Sequence, residues 1–409
     1  MQRGARAGRW YSIQRPMLAV STEVAHLLLL FGLMIIPRVV QQLRIPAPLT
    51  SFGIGMAAAL LLGASGQDAI VALMATLGIS SLFLFAGLEI EPDDLQRSKW
   101  PLLGHLAMRA LSFGAVALGV VHFFGMSWQV GVLLALAIFT PSTGFILDTL
   151  SSLDIDERER HWVRIKAVSG ELFALIVLFV VLQSGSARGL ALSSLALLAM
   201  VVGLPLLYLA LGRWVIPYAR GSEFSLLVMV GVASAYLTYK LGVYYLVGAF
   251  LAGFIARLLR ERLPDLASDE NLMAIQKFAS FFVPFYFFYK GMGVPGGALT
   301  LQALGIGLVL TLVALPLRVG SVWVQRRILR GESSLASLRV AAALTPTLIF
   351  TLVIADILRQ RYALSDAVYG GLLVYAGLAT MLPSLVMAKP VDFDLMRDTP
   401  LPAVPPRPH

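Results

Sequence analysis

The chain of 409 residues contains no cysteine, which excludes a disulfide scaffold and any metal centre built on thiolates. Charge is the second shortage. Asp, Glu, Lys and Arg together make up 13% of the residues, where a soluble domain carries roughly 25%. The five histidines, at positions 26, 105, 122, 161 and 409, show no HExxH or paired-ligand spacing, so neither a resident metal nor a cofactor is expected. No GxxxxGK[ST] stretch exists to power anything with ATP, and no nucleotide-binding domain is expected in the chain. What is abundant is apolar surface: 58% of residues are hydrophobic and the mean hydropathy is +0.81. A water-soluble globule could not hide that much, so the chain reads as an all-α polytopic membrane protein whose first partner is the lipid bilayer. The net charge of +9 is then read as loop charge at the cytoplasmic face, ahead of any nucleic-acid partner. No cleavable signal peptide is expected, because the first apolar run is long enough to span.

A hydrocarbon layer of about 30 Å takes roughly 20 apolar residues in helical form. Cutting the chain at charge and Gly/Pro clusters gives about 13 segments, starting near Met17, Ala47, Asp68, Pro101, Trp128, Val163, Leu190, Glu223, Val243, Leu272, Leu299, Leu335 and Leu364. The second and ninth are short, as re-entrant or steeply tilted segments would be. The division is an N-terminal tail over residues 1–16, a membrane unit over 17–388 and a short proline-rich tail over 389–409. An odd number of spans puts the termini on opposite sides, and the Lys/Arg tally chooses between them. It is 19 on the side of the C-terminus, counting Arg158, Arg160, Arg164, Lys166, Arg257 and Arg326 among the loop charges, against 9 on the other. The expectation is an inner-membrane protein with its N-terminus outside and its C-terminus in the cytoplasm, although Arg3, Arg6, Arg9 and Arg15 of the N-terminal tail argue the other way.

Two of the segments carry an interruption. The fifth reads ALAIFTPSTGFILDTL and the twelfth AAALTPTLIFTLVIADIL, which places Thr140-Pro141-Ser142-Thr143 and Thr345-Pro346-Thr347 in mid-membrane. Proline removes a backbone donor and clashes with the preceding turn, so both helices should break there. A break at that depth is tolerated where protein or a water-filled cavity satisfies the freed groups, a task suited to Ser and Thr hydroxyls. The ends of half-helices also carry opposed partial charges that can bind ions. Prolines kink many membrane helices to no functional end, but interrupted helices at corresponding places in two halves of a chain point to inverted repeats with a site between them. An arginine precedes each break at similar spacing, Arg109 by 31 residues before Thr140 and Arg318 by 27 before Thr345.

Ionisable groups inside such segments are few and informative. The sixth, KAVSGELFALIVLFVVLQSG, holds Glu171 with no other acid. A carboxylate there costs about 2.5 to 3.5 kcal/mol unless it is protonated or offset by a cation or a cavity. A group that can be protonated or ion-bound, but not bare, makes a proton and a cation compete for one place; the plainer reading is a structural ion pair. Arg318 is the matching cation, expected to pair with Glu171, to reach Asp148 or Asp356, or to snorkel to the cytoplasmic face. Lys290 lies near the outer end of its segment and is expected at the interface. Arg109 has no acid nearby in sequence and is left to pair across the bundle, and Glu23 is read as a helix-interface residue outside any transport role.

Several stretches look familiar together. RIPAPLTSFGIGM, SLFLFAGLEIEPDDLQRS, LGVYYLVGAFLAGFIA and FFVPFYFFYKGM follow in that order along the chain, and SLFLFAGLEIEPDDLQRS carries the most specific likeness. From about His26 to Met387 the chain resembles the monovalent cation:proton antiporter-2 family, which holds Kef-type potassium efflux systems and NapA-like sodium/proton exchangers. The resemblance implies a NhaA/NapA-like antiporter fold: inverted repeats, two crossed broken helices, a dimer-interface bundle and a six-helix core that moves against it in a homodimer. It aligns Gly170 and Glu171 with the family's mid-membrane polar pair, whose second member carries ion or proton. It also aligns Arg318 with the family's basic residue before the second broken helix, Thr140, Pro141 and Ser142 with the family's Thr-Ser-Pro-type first break, and Thr345, Pro346 and Thr347 with its second.

The departures matter too. Glu171 replaces the usual Asp, Gly170 replaces the polar first member that normally pairs the basic residue, and the second break lacks the Arg-Gly-Glu often found there. One carboxylate remains.

The expected function is therefore secondary active exchange of a proton for Na⁺ or K⁺ by alternating access, electroneutral because one carboxylate exchanges one charge. The ion and proton ligands are expected among Glu171, Thr140, Ser142, Thr143, Thr345 and Thr347, the charge partners among Arg318, Lys290 and Arg109, and the breaks at Pro141 and Pro346. Two other readings stay open. One is a channel or symporter for another solute, such as an organic anion held by Arg318 and half-helix N-termini; the other is a non-transporting membrane sensor. An enzyme is not expected, because no nucleophile and base stand at usable spacing.

Overall fold

The computed structural model describes residues 22–62, 68–219, 221–241 and 245–387. The two tails and the expected segment starts at Met17 and Val243 lie outside the described residues. The helices are α1 (Thr22–Gln41), α2 (Ala47–Leu62), α3 (Ala69–Leu88), a short α4 (Pro92–Arg97), α5 (Lys99–Phe124), α6 (Trp128–Phe139), α7 (Thr143–Thr149), α8 (Glu157–Gln183), α9 (Ala187–Trp214), α10 (Glu223–Lys240), α11 (Tyr245–Leu258), α12 (Asp269–Met292), α13 (Leu301–Arg330), α14 (Ser334–Ala343), α15 (Leu348–Tyr362) and α16 (Asp366–Met387). Among the described residues the regular structure is wholly helical. Among the described residues nine helical stretches, α6 with α7 counted as one, are long and apolar enough to cross a membrane, ten if α14 and α15 form one span, while α2 and α11 are the shorter apolar helices at the second and ninth positions. Large apolar side chains such as Leu61, Leu111, Phe123 and Leu312 lie on the outside, where lipid replaces water.

Helix starts follow local chemistry more closely than hydropathy does. The sixth segment begins at Glu157, upstream of the apolar run, because Asp156 caps the helix and Glu159 reaches back to the Asp156 N–H in a reciprocal capping box. Arg158, Arg160, Arg164 and Lys166 therefore belong to the helix and not to a loop. Lys166 is buried at 2% exposure, donating to Gln325 Oε1 beside His105. Arg257 and Arg326, also taken as loop charges, are buried too, against Glu91 and Glu332. Each of these cations is held by partners on a neighbouring element, which composition alone does not show.

The helices pack as two groups. α1, α2, α3, α10, α11 and α12 contact one another, and α5 to α8 contact α13 to α16, while α9 touches α11 on one side and α8 on the other. The first group is held close by small residues. A Cβ on Gly87 would stand 2.2 Å from the carbonyl oxygen of Phe250, and one on Gly253 would stand 2.1 Å from that of Leu84. The backbones of α3 and α11 thus touch, in the small-residue packing that membrane helices favour. Gly87 and Gly253 fall in two of the stretches that carry the family resemblance, so those two segments are neighbours in space.

Gly253→Val places branched carbons into the α3 backbone, and overpacking of this kind costs about 1–3 kcal/mol. A clear fall in the melting temperature of the detergent-purified protein is expected; an unchanged value would show that α3 and α11 do not meet this closely.

Candidate ion-binding site

The second group of helices contains both interruptions. α6 ends at Phe139 and α7 starts at Thr143, with Thr140 extended between them. α14 ends at Ala343 and α15 starts at Leu348, and this second pair is bent by 47°. Both proline-containing clusters are therefore where the helices stop, and they meet. The Ser142 N–H donates to the Pro346 carbonyl at 2.8 Å, and the Ile349 N–H donates to the Ser142 hydroxyl at 3.0 Å. The two breaks cross and are stitched to each other through Ser142.

Each half-helix ends in carbonyl groups with no partner in the next turn, and the structure satisfies them in turn. At the end of α6, the Thr351 hydroxyl donates to Ala137 O at 2.7 Å, the Tyr375 hydroxyl to Ile138 O at 2.7 Å, and Arg109 to Phe139 O at 2.7 Å. At the end of α14, Arg318 donates to Leu344 O and Thr345 O, both at 2.9 Å, and to the Tyr375 hydroxyl at 2.9 Å. The Thr345 hydroxyl takes Ala342 O at 2.8 Å and Ala379 O at 3.0 Å. The arginines thus play matching parts in the two halves. Each brings a positive charge to the negative end of a half-helix, a favourable placement that low dielectric strengthens.

This corrects the expected pairing of Arg318. It reaches neither Glu171 nor Asp356 and does not snorkel, and the side chain of Asp148 lies outside the described residues; Arg318 is 6% exposed and its partners are carbonyls and a phenol. Carbonyls freed by the second break lie nearer than any acid among the described residues and need a donor more. Lys290 departs from the interfacial expectation in a similar way: it is partly buried and forms an ion pair with Asp356, whose other oxygen accepts from the Tyr369 hydroxyl at 3.0 Å. Glu23 lies exposed on α1, away from the breaks.

Arg109 also explains the missing polar partner. A Cβ on Gly170 would stand 1.6 Å from Arg109 Nη1, so the guanidinium occupies the space that a side chain at position 170 would take. Gly170 is glycine because Arg109 lies against it. Beside it on α8, Glu171 is 2% exposed and accepts from the Thr143 N–H, the first residue of α7, at 3.0 Å. No Lys or Arg stands within ion-pair distance of this carboxylate among the described residues. The hydroxyl oxygens of Thr140 and Thr347 are buried with no hydrogen-bond partner, so each holds free lone pairs at the breaks. Of the expected ligands, Glu171, Thr140, Ser142, Thr143 and Thr347 converge on the crossing, whereas Thr345 faces Ala342 and Ala379.

A cavity of about 90 Å³ reaches this region from between the two helix groups. Gly144, Phe145 and Ile349 line it on the side of the breaks, with Gln276 and Ser280 of α12 opposite. It lies near the start of α2, the end of α3 and the middle of α12. Among the described residues no cluster of His, Asp and Glu could hold a resident metal ion. Sequence reasoning missed Tyr375, Thr351 and the Lys166–His105–Gln325 group. A tyrosine or threonine in an apolar helix carries no local mark of the carbonyl it will meet.

Residues 27–389 match the family whose sequence model is described as "Sodium/hydrogen exchanger, transmembrane". A curated relative, the glutathione-regulated potassium-efflux system protein KefC of Enterobacter sp. (strain 638), is 26% identical over 269 residues, covering 62% of this chain and 42% of the relative. The protein of the same description from Shigella flexneri serotype 5b is 24% identical over the same length. The chain therefore spans less than half the length of these relatives. The solved structure of the sodium proton antiporter MjNhaP1 from Methanocaldococcus jannaschii is similar in fold, with a TM-score of 0.64 at 14% identity over 89% of this chain and 95% of that one.

Replacing Tyr375 by Phe leaves Ile138 O without a donor, and a buried polar group so stranded costs about 1–3 kcal/mol. Gly170→Ala should lower the melting temperature as well, by displacing Arg109 from Phe139 O. Combining Gly170→Ala with Arg109→Ser should cost much less than the sum of the two single losses, because the two changes break one contact. Simple additivity in thermal unfolding would contradict the Arg109–Gly170 packing.

Proposed function

This chain belongs to the sodium/hydrogen exchanger family, and from that premise we propose that it is a secondary antiporter that exchanges a proton for a monovalent cation, Na⁺ or K⁺, at Glu171. The observation that carries this reading is a buried carboxylate whose polar contact is a backbone N–H and not a cation. Isolated in low dielectric, a bare carboxylate is costly, so Glu171 is either protonated or neutralised by an ion. The N-terminus of α7 and the free lone pairs of the Thr140 and Thr347 hydroxyls supply the rest of a small oxygen-lined site, of the kind that suits hard cations. The proton leaves the carboxyl as the cation arrives, and one charge replaces one charge.

Alternating access follows from the two helix groups. The cavity between them leads to the breaks from one end of the molecule, the end that the Lys/Arg tally assigns to the cytoplasm. At the other end α12 and α15 are tied by Lys290 and Asp356, one from each group. Sliding the group that holds Glu171 against the other would close the first route and open the second, with the Lys290–Asp356 tie released in the process. We place the protein in an inner membrane as a homodimer, joined through the group that holds α1 to α3, with the N-terminus outside. The cavity beside Arg318 is about 30 Å³, too small for an organic anion.

The experiment is proton movement in proteoliposomes loaded with a pH dye, after addition of Na⁺, K⁺ or Li⁺. The native protein should respond to at least one of these ions, at a rate insensitive to an imposed membrane potential, and Glu171→Gln should abolish the response while leaving the protein monodisperse. A full response in Glu171→Gln would refute the carrier role, and a rate that follows the potential would refute electroneutral exchange.

A further inference from the structure

A second cavity lies on the same helix breaks, and its chemistry is the reverse of the Glu171 site. His105, Arg109 and Ser112 line it from α5, Arg318 and Ser321 from α13, and Leu344 and Thr345 from the end of α14. Among the described residues no carboxylate lines it, and Lys166 stands directly behind His105, its Nζ 3.4 Å from His105 Nδ1. We propose that this cavity is a binding site for a monovalent inorganic anion of halide size, held between the guanidinium groups of Arg109 and Arg318.

Three observations lead there. The first is charge. The acceptors of Arg109 and Arg318 are carbonyls and a phenol, none of them ionised. The ends of the two half-helices offset them only in part, since each supplies about half a negative charge. Two full cations against two half charges leave roughly one positive charge at the cavity, which one monovalent anion cancels. The second is hydrogen bonding. A guanidinium has five N–H donors, and Arg109 uses one acceptor, Phe139 O. His105 Nε2 is likewise buried with no partner. His105 Nδ1 stands 3.2 Å from the acceptor Gln325 Oε1 and 3.4 Å from the donor Lys166 Nζ, so the spare donor counted here is that of Arg109. The third is size. At about 30 Å³ the cavity has room for one or two bodies of the size of a water molecule, which a phospholipid headgroup exceeds.

The Ser112 and Ser321 hydroxyls donate to Met108 O and Arg318 O of their own helices, so they shape the cavity without contributing a donor. The anion would hold both arginines in place on their carbonyls and so set the geometry of the crossing from the face opposite in charge to Glu171. This makes the fold of the breaks dependent on an anion that is not exchanged.

The test uses the purified full chain in choline salts, so that no alkali ion is present. Melting temperature is measured against increasing chloride, bromide or gluconate, for the native protein, for Glu171→Gln, for Arg109→Gln and for the double variant Ser112→Leu with Ser321→Leu, which fills the cavity while keeping both arginines. A saturable rise of a few degrees with chloride and bromide but not gluconate is expected in the native protein and in Glu171→Gln. The rise should be lost in the Ser112→Leu, Ser321→Leu variant and, where it folds, in Arg109→Gln. Equal responses to chloride and gluconate, or a halide response that survives filling of the cavity, would overturn the proposal. Loss of the halide response in Glu171→Gln would also overturn it, by moving the effect to the other site. Proton flux plays no part in this readout, so failure of the anion site and failure of antiport through Glu171 are told apart.

Discussion

Two helices that stop in the middle of a membrane leave backbone groups that water cannot reach, each worth several kcal/mol if left alone. Much of the polar architecture of the chain answers that demand. Arg109, Thr351 and Tyr375 take the last carbonyls of α6, Arg318 and the Thr345 hydroxyl take those of α14, and Ser142 joins one break to the other. These donors come from α5, α13, α15 and α16, so the packing of the whole second helix group is set by the need to deliver them. The breaks are stable because the surrounding helices were brought to them.

The two breaks are treated alike at their carbonyl ends and differently at their amide ends. Thr143 N–H, at the start of α7, meets the carboxylate of Glu171, while Ile349 N–H, near the start of α15, meets the neutral hydroxyl of Ser142. Near-symmetry therefore yields one anionic position and not two. With Arg109 filling the space beside Gly170, no side chain fits at position 170 as the companion of Glu171. The hydroxyls of Thr140, Thr143 and Thr347, all at the breaks, are buried without a hydrogen-bond partner.

What the sequence made legible was what is expensive in a membrane. The two Thr-Pro clusters, Glu171, Arg109 and Arg318 are rare residues in apolar runs, and all of them meet at the crossing. The family segments were legible as well, and two of them prove to pack backbone to backbone through Gly87 and Gly253. Partner choice was not legible. Charge attraction points Arg318 at acids, yet the carbonyls freed by its own repeat are closer; hydropathy makes loop charges of Lys166, Arg257 and Arg326 because it ignores their partners Gln325, Glu91 and Glu332. Gly170 looked like a loss, and became intelligible only once Arg109 was seen against it. Apart from Arg326 with the nearby Glu332, these contacts join residues far apart in the chain, to which periodicity and composition are blind.

The central claim is that proton and cation contend for one carboxylate. The most direct measurement is the apparent affinity of the purified protein for its alkali ion as a function of pH, with the protons released on binding counted in weakly buffered solution. Competition at Glu171 predicts an affinity that falls about tenfold for each pH unit on the acid side and a release there of one proton per ion bound. Ion binding that is independent of pH and releases no proton, or that releases two, would contradict the account.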